Sequence, residues 1–189
     1  DAMVQSIDTP ITICPGSTLP VYVKIKNIGT TTLTTATINW SVNGAVQTPY
    51  TSWSGSLAQG VSSSSINIGS FSFVSSSNII KVWTSVPNGG ADGNITNDTA
   101  TSTPVTNLSG TYTIGGATPD YNTFTAAVND LNTKGVCGPV TFNVRQGTYN
   151  ERIQINNISG ASQVNFITFQ PDPSNTSPAE ITIGGNSVA

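Results

Sequence analysis

The chain has 189 residues, of which 8% are charged and 7% are aromatic; its formal net charge is −3 and it contains no histidine. Charged residues make up roughly 25% of a typical soluble domain, so this Thr-, Ser-, Asn- and Gly-rich composition favours an all-β secreted protein over a cytosolic enzyme. The six Lys and Arg residues give no basic surface for nucleic acid, and no apolar run reaches the roughly 18 residues that a membrane span needs. Imidazole catalysis and histidine metal ligands are excluded.

The first hundred residues alternate apolar and polar side chains in short runs that end at turn residues. Asn43-Gly44 predicts a hairpin turn, because both residues readily take positive φ. Trp40 lies on an apolar stripe and is expected in the core, whereas Trp83 faces the opposite side of its strand. The last run covers residues 97–103. About seven strands in roughly 100 residues are typical of an immunoglobulin-like sandwich. The apolar members of the runs are Val21, Val23, Ile25, Ala36, Ile38, Trp40, Val42, Trp53, Leu57, Ile66, Ile68, Phe71, Phe73, Ile80 and Val82.

This region also resembles the CARDB-type, fibronectin-like modules of large surface proteins from Bacteroidota. The resemblance covers about residues 4–104 and is carried by three blocks: CPGSTLPVYVKIKNIGTTTLTTATINWSVNG, WSGSLAQG and PNGGADGNITNDT. It implies a sandwich that acts as a spacer or adhesive unit, without catalysis, in a protein that leaves the cell by type IX secretion.

The second part of the chain is predicted to be a separate domain. Residues 1–104 form the first domain, residues 105–110 a short polar linker, and residues 111–189 the second domain. An amphipathic helix is predicted over residues 123–132, because Phe124, Ala127, Val128 and Leu131 fall at i, i+3, i+4 and i+7. Gly135 should end it.

Alternating runs after this helix predict short strands joined by tight corners. The runs cover residues 140–144, 153–155, 164–169 and 181–183, while Gly147 and Gly184-Gly185 mark turns. This pattern predicts the first rungs of a stacked coil. A helix directly before them would cover the apolar core and unpaired strand edges that the end of such a coil exposes.

Residues 111–189 resemble the N-terminal end of right-handed parallel β-helix domains of the pectin-lyase-like type. The matching blocks are YTIGG, YNTFTAAVNDLNTKGVCGPVTFNV, GTYNERIQI and ISGAS. Many relatives of that fold bind or cleave acidic polysaccharides, with their catalytic groups on middle coils that this sequence lacks. No obvious cap precedes Ala189, so we expect a piece of a larger extracellular protein.

One loop of the first domain is a candidate Ca²⁺ site. Asp92, Asn94, Asn97 and Asp98 lie in PNGGADGNITND, and Ca²⁺ prefers about six to eight oxygen ligands. The spacing does not match an EF-hand. The alternative is a turn-rich hairpin in which the Asn and Asp side chains bond their own backbone.

The two cysteines, Cys14 and Cys137, are consistent with an oxidising compartment. A bridge between them would close a long loop, which in the loop-entropy model stabilises the fold by a few kcal/mol. Two buried thiols, or half-cystines with partners outside this sequence, are the alternatives.

Other residues could carry function. Glu151 beside Arg152 could serve a polysaccharide lyase, although a surface ion pair or a corner-stabilising hydrogen bond is the favoured interpretation. Sugar rings stack on rigid aromatic side chains, which makes Trp83, Trp53 and Tyr149, together with Tyr50, candidate carbohydrate-binding residues. Trp53 is better explained as the buried anchor of a strand end.

Together these patterns predict a structural or adhesive module of a secreted or cell-surface protein, with no catalytic residue in this sequence and no cofactor other than Ca²⁺. The expected partner is an extracellular polysaccharide, another cell-surface ligand, or a second copy bound through the open end of the β-helix. Two alternatives remain: a polysaccharide-degrading enzyme whose site lies in further coils, and a carbohydrate-binding module.

Overall fold

The computed structural model describes residues 1–74, 77–176 and 181–183. The chain divides into two compact units, Asp1–Thr106 and Asn107–Ala189. This boundary falls inside the predicted linker of residues 105–110. That segment carries strand residues on both sides of Asn107.

The first unit consists of short β-strands and one 3₁₀ turn, Pro87–Gly89. The strands are β1 (Ala2–Thr9), β2 (Thr12–Ile13), β3 (Thr18–Asn27), β4 (Leu33–Val42), β5 (Ala45–Val46), β6 (Thr51–Leu57), β7 (Ile66–Ser72), β8 (Ile80–Ser85), β9 (Thr99–Ser102) and β10 (Val105–Thr106).

Two antiparallel sheets share one core in this unit. One sheet has the order β1-β3-β7; the other has the order β5-β4-β8-β9, with β6 also paired to β4. The predicted inward residues of β3 and β4 are buried, including Val23 and Ile38 at 0% exposure and Trp40 at 3%. The core draws side chains from both sheets, as in a β-sandwich. The all-β prediction for this unit is confirmed.

Local turn chemistry also follows the sequence. Asn43 and Gly44 take positive φ values of 50° and 84° and join β4 to β5. On either side of this turn, Val42 of β4 pairs with Ala45 of β5. The prediction of a hairpin at Asn43-Gly44 is confirmed. The last predicted strand, residues 97–103, is shorter than expected, because residues before Thr99 belong to a loop.

The second unit contains five strands and one helix among its described residues. They are β11 (Leu108–Ile114), α1 (Phe124–Lys134), β12 (Val136–Val144), β13 (Gly147–Tyr149), β14 (Ile167–Pro171) and β15 (Ile181–Ile183). β11, β12 and β14 form one parallel sheet, and β13 pairs with β15 in another.

Helix α1 lies where its periodicity predicts. Its buried residues are Phe124, Ala127, Val128 and Leu131, and Gly135 caps its C-terminus at φ 66°. A side chain at Gly135 would be strained, and its Cβ would lie 2.6 Å from the carbonyl oxygen of Ser159. Gly135 therefore both ends the helix and admits the neighbouring backbone.

Aromatic side chains stack across the three parallel strands of the second unit. Phe142 on β12 pairs in register with Tyr112 on β11 and Phe169 on β14. Its ring centroid lies 5.8 Å from that of Tyr112 and 4.7 Å from that of Phe169. Phe124 from α1 stacks on Phe169 at 5.8 Å, so the helix packs on this aromatic ladder.

The predicted strand at residues 153–155 is wrong. Ile153 packs against the core, but Ile155 is 49% exposed and the segment has no strand pairing. Its backbone is bound instead by Asn132 of α1, whose Nδ2 donates to the carbonyl of Gln154 (2.9 Å) and whose Oδ1 accepts from the amide of Asn156 (2.9 Å). The side-chain amide of Asn132 thus makes hydrogen bonds that a neighbouring strand would otherwise make with this segment.

The strand predicted over residues 164–169 begins later, at Ile167. The Ser162 hydroxyl accepts from the amides of Val164 and Asn165 and holds this part in a turn, which leaves Val164 and Phe166 72% and 54% exposed. Ile181–Ile183 is a strand, as expected, whereas Gly184-Gly185 lies outside the described residues.

The parallel sheets agree with the predicted direction of chain stacking, but two short sheets do not make a solenoid. The β-helix therefore stays a prediction. Within the described ranges, no helix has the length and apolar character needed to cross a membrane.

Asn27 offers a test of the first unit's fold. It is fully buried; its Nδ2 donates to the carbonyls of Thr31 (2.9 Å) and Leu57 (2.8 Å), and its Oδ1 accepts from the amide of Gly29 (3.0 Å). Asn27→Asp removes both donors and faces a charge toward two carbonyl oxygens. We expect a loss of about 3 kcal/mol in unfolding free energy, measured by urea denaturation at pH 7.

Asn39→Asp is the matched control, since Asn39 lies on the outer side of β4 and is only half-buried. Equal losses in the two variants would contradict the role assigned to Asn27.

Candidate metal centre

The loop between β8 and β9 is fixed by the side chain of Asn88. Its Oδ1 accepts from the amides of Thr34 (2.7 Å) and Thr35 (3.3 Å), and its Nδ2 donates to the carbonyl of Thr32 (2.9 Å). Asn88 and the nearby Val86 both have positive φ, 51° and 53°. A β-branched residue in this region is strained, so the loop's sharp turn depends on the bonds that Asn88 makes.

Beyond this turn, three carboxyl groups meet. Each of Asp1, Asp92 and Asp98 offers one oxygen, and these three oxygens lie within 4.8 Å of one another. Two backbone amides hold the carboxylate of Asp92. Its Oδ2 accepts from the amide of Ala2 and its Oδ1 from the amide of Asn94, both at 3.0 Å. We refer to Asp1, Asp92 and Asp98 as the acidic cluster.

The first strand brings Asp1 to the cluster. The carbonyl of Asp1 accepts from the amides of Ile28 (3.2 Å) and Gly29 (3.1 Å), which follow β3. The carbonyl of Ala2 accepts from the buried Thr84 hydroxyl on β8 at 2.7 Å. Two elements therefore fix the start of the chain from opposite sides.

Asp98 is the most buried member of the cluster, with 6% of its surface exposed. Its Oδ1 is buried and, among the described residues, has no hydrogen-bond partner. Burial, and then the negative charge of Asp92, raises the pKa of Asp98 to about 6, while the ammonium group of Asp1 opposes the rise. None of the ion pairs in the described ranges neutralises the cluster.

This arrangement has the chemistry of a hard-cation site. Carboxylate and amide oxygens are the ligands that Ca²⁺ prefers, at about 2.3–2.6 Å, so two oxygens on opposite sides of the ion lie up to about 5 Å apart. The separations in the acidic cluster fall inside that limit. A buried oxygen without a donor is also costly, and a cation would remove that cost.

The structure changes the set of residues that could bind Ca²⁺ from the set predicted from the sequence. It brings together Asp92 and Asp98, and Asn97 is adjacent, with its Nδ2 3.5 Å from Asp1 Oδ1 and its own Oδ1 buried without a partner among the described residues. Asn94 is not aligned with them, because its Oδ1 accepts from the amide and hydroxyl of Thr96. Asn94 thus makes the local turn that was the alternative interpretation.

Sequence reasoning missed Asp1. It lies 91 positions before Asp92 in the printed sequence, and no local pattern connects the two. Only the pairing of β1 with β3 and the Thr84 bond place it there.

The candidate sugar-binding aromatics differ in their surroundings. Trp83 lies on the outer side of β8 with the Lys81 ammonium 5.9 Å from its ring centroid, and Trp53 packs against the sandwich core, as its alternative interpretation held. The proposal for Tyr149 needs correction. That side chain is 8% exposed and its hydroxyl donates to the carbonyl of Arg145 at 2.7 Å, so its ring is not available for stacking.

Glu151 binds the N-terminus of α1. Its two carboxylate oxygens accept from the amides of Phe124 (3.0 Å) and Thr125 (2.8 Å), while the Thr123 hydroxyl accepts from the amide of Ala126 (3.1 Å). The first three helical amides are therefore satisfied. Burial alone would raise the pKa of Glu151, but the hydrogen bonds from Thr125, Phe124 and Thr123 outweigh it and lower this pKa.

This role agrees with the favoured interpretation of a corner-stabilising bond. The other acids of the second unit also have structural partners. Asp120 accepts from Thr113, Asp130 pairs with Lys134, and Asp172 lies 3.5 Å from Arg145. Glu180, the remaining acid of this unit, lies outside the described residues.

Both cysteines are in disulfide form and no free thiol exists among the described residues. That Cys14 and Cys137 pair with each other stays the prediction made from the sequence.

Comparison with known proteins gives limited information. No family model matches the chain, and no curated protein matches it. A crystal structure of the CARDB domain of PF1109 from Pyrococcus furiosus, in complex with di-metal ions, shares 19% identity with a TM-score of 0.45 over 58% of this chain and 94% of that one. A solution structure of the same domain shares 19% identity with a TM-score of 0.41, over 56% of this chain and 94% of that one. At these values neither similarity establishes the family of this chain, and the metal ions are those of the archaeal protein.

Glu151→Gln should destabilise the second unit by about 1 kcal/mol at pH 7, because an anion at a helix N-terminus is lost. The pKa of Glu151 is lowered by folding from 4.5. Its stabilisation is therefore present above that value and lost as the pH falls through the lowered pKa. Urea denaturation from pH 7 to pH 3 should show the difference between variant and parent disappear in acid.

Asn132→Ala is the control, since it removes two hydrogen bonds made by the same helix, to the backbone of Gln154 and Asn156, without removing a titrating group. Its cost should be the same across that pH range. A pH-independent cost for Glu151→Gln would contradict the charge-based role of Glu151.

The cysteine pairing can be tested by trypsin digestion without reductant. Cleavage after Lys24, Lys134 and Arg145 places the two cysteines in the peptides 1–24 and 135–145. Mass spectrometry should find these two peptides linked and should find them separate after reduction. Either peptide bound to anything else would contradict the predicted pair.

Proposed function

We propose that the chain is a non-catalytic structural module of a secreted or cell-surface protein, and that a Ca²⁺ ion at the acidic cluster stiffens its sandwich. One observation carries this proposal: three carboxyl groups converge within 4.8 Å, and a buried oxygen of Asp98 has no partner among the described residues. Like charges at this distance repel one another. Their convergence is explained if a divalent cation lies between them.

The ion would connect parts of the fold that are distant in sequence. Asp1 precedes β1, whereas Asp92 and Asp98 lie in the loop between β8 and β9. Ca²⁺ would therefore hold an edge strand of one sheet to a loop of the other. Asn97, with its buried Oδ1, is the natural fourth protein ligand, and water would complete the shell.

An extracellular location is supported by the cysteines and the composition. Disulfides persist in oxidising compartments and are rare in the cytosol of mesophiles, and both cysteines are in disulfide form. Extracellular fluids also hold enough Ca²⁺ for sites of modest affinity. On the sequence blocks described above, we place the module among the surface proteins of Bacteroidota, with a CARDB-type sandwich.

For the second unit we propose the first coils of a right-handed parallel β-helix. The register supports this, because β12 pairs with β14 and the following β13 pairs with β15 in the same parallel sense. The strand pair β14 and β15 thus repeats the order of β12 and β13, as expected if each pair belongs to one coil of a β-helix. The aromatic ladder from Tyr112 through Phe142 to Phe169 continues across this stack.

The cation can be tested by thermal unfolding with EDTA and with added Ca²⁺. We expect Ca²⁺ to raise the unfolding midpoint of the parent protein; a ligand at about 100 times its Kd adds about 2.7 kcal/mol. Asp98→Asn should abolish this response. In EDTA the same variant should be more stable than the parent, because it removes a buried charge that faces two other carboxylates.

Asp8→Asn is the matched control, since Asp8 is an acid of the same unit that lies outside the cluster and pairs with Lys24. It should keep the full Ca²⁺ response. A parent protein that is insensitive to Ca²⁺, or an Asp98→Asn variant that responds like the parent, would overturn the proposed site.

A further inference from the structure

A pocket of about 470 Å³ lies in the first unit and shares no lining residue with the acidic cluster. It is formed by the segment that leads from β5 into β6 and by the middle of β7. Its volume falls within the roughly 300–1,000 Å³ of small-molecule sites. The residues that decide its chemistry are Trp40, Tyr50, Asn67, Ile68, Gly69 and Ser70.

A β-bulge shapes this pocket. Val21 on β3 pairs with Gly69 and Tyr22 pairs with Asn67, so Ile68 is the extra residue on β7. The carbonyl of Ile68 accepts instead from the Thr51 hydroxyl at 3.3 Å. Bulges re-aim side chains and are frequent beside functional sites.

Gly69 admits an aromatic ring beside the bulge. It has a φ of 139°, and a Cβ at this position would lie 2.9 Å from Cζ2 of Trp40. The edge of the Trp40 ring therefore reaches the pocket floor next to the β7 backbone. The amide of Gly69 donates to Asn67 Oδ1 at 2.9 Å, which orients the Asn67 side chain.

The rim combines one exposed aromatic ring with free polar groups. Tyr50 is 60% exposed. In the described part of the chain, its hydroxyl, the Asn67 Nδ2 and the Ser70 hydroxyl have no protein hydrogen-bond partner. None of the described residues that line the pocket is charged.

We propose that this pocket binds a neutral saccharide, with one ring stacked on Tyr50 and its hydroxyl groups bonded to Asn67 and Ser70. A flat aromatic face beside amide and hydroxyl groups suits a sugar, which has an apolar ring face and a polar edge. The absence of charge from the lining disfavours uronic acids, which would lack a cation to pair with. The volume accommodates a short oligosaccharide end rather than a long chain. This function is independent of the proposed Ca²⁺ ion.

The test is isothermal titration of the whole 189-residue protein at fixed Ca²⁺ with cellotetraose, xylotetraose, mannotetraose and maltotetraose, and with tetragalacturonate as the acidic counterpart. At least one neutral sugar should bind, and tetragalacturonate should not. Tyr50→Ala should weaken that binding about tenfold or more. Asn67→Asp should also weaken it, since it keeps an oxygen that accepts from Gly69 but replaces the amide donor with a negatively charged acceptor.

Trp83→Ala is the matched control: it removes a partly exposed aromatic ring of the same unit that lies on the outer side of β8 and does not line the pocket, and it should leave affinity unchanged. Three results would overturn the proposal. They are no binding by any of the four neutral sugars at millimolar concentration, binding by tetragalacturonate alone, and binding that Trp83→Ala removes while Tyr50→Ala does not. Circular dichroism would verify that each variant is folded.

Discussion

The hydrogen bond from the Thr84 hydroxyl to the carbonyl of Ala2 joins the two sheets of the sandwich at the point where the acidic cluster forms. It is 2.7 Å long and buried. Thr84 also donates its amide to the carbonyl of Asp98, so one residue fixes both the start of β1 and the loop that carries Asp98. A buried polar pair of this kind is expensive to break. The positions of Asp1, Asp92 and Asp98 therefore follow from the way the sheets close, rather than from the loop alone.

A fold that forces carboxyl groups together would normally lose stability unless something offsets their repulsion. Burial, and then the negative charge of Asp92, raises the pKa of Asp98. A proton or a divalent cation can each relieve the repulsion, and in an extracellular fluid near neutral pH the cation is the more abundant partner. The proposed ion would therefore link the stability of the sandwich to the Ca²⁺ concentration of the medium.

The second unit must cover the apolar end of its stack of parallel strands. Helix α1 places Phe124 on Phe169, and the carboxylate of Glu151 binds the helix's first amides. Asn132 of the same helix also binds the backbone of Gln154 and Asn156. One helix therefore covers the aromatic ladder and also substitutes for a missing strand neighbour. Among the described residues of this unit, Asp120, Asp130, Glu151 and Asp172 thus all have structural partners.

The sequence by itself determined the features that depend on near neighbours: the alternating faces of β3 and β4, the turn at Asn43-Gly44, the buried stripe of α1 and the grouping of Asp92 with Asp98. Tertiary structure decided the rest. Asp1 joined the cluster, Tyr149 was buried by its bond to Arg145, residues 153–155 were bound by Asn132, and a bulge at Ile68 opened the pocket below Tyr50. Periodicity reports which side of an element is apolar, because that depends on a few adjacent residues. It does not report strand register or side-chain pairing between distant segments, and those long-range contacts fix where a polar group finds its partner.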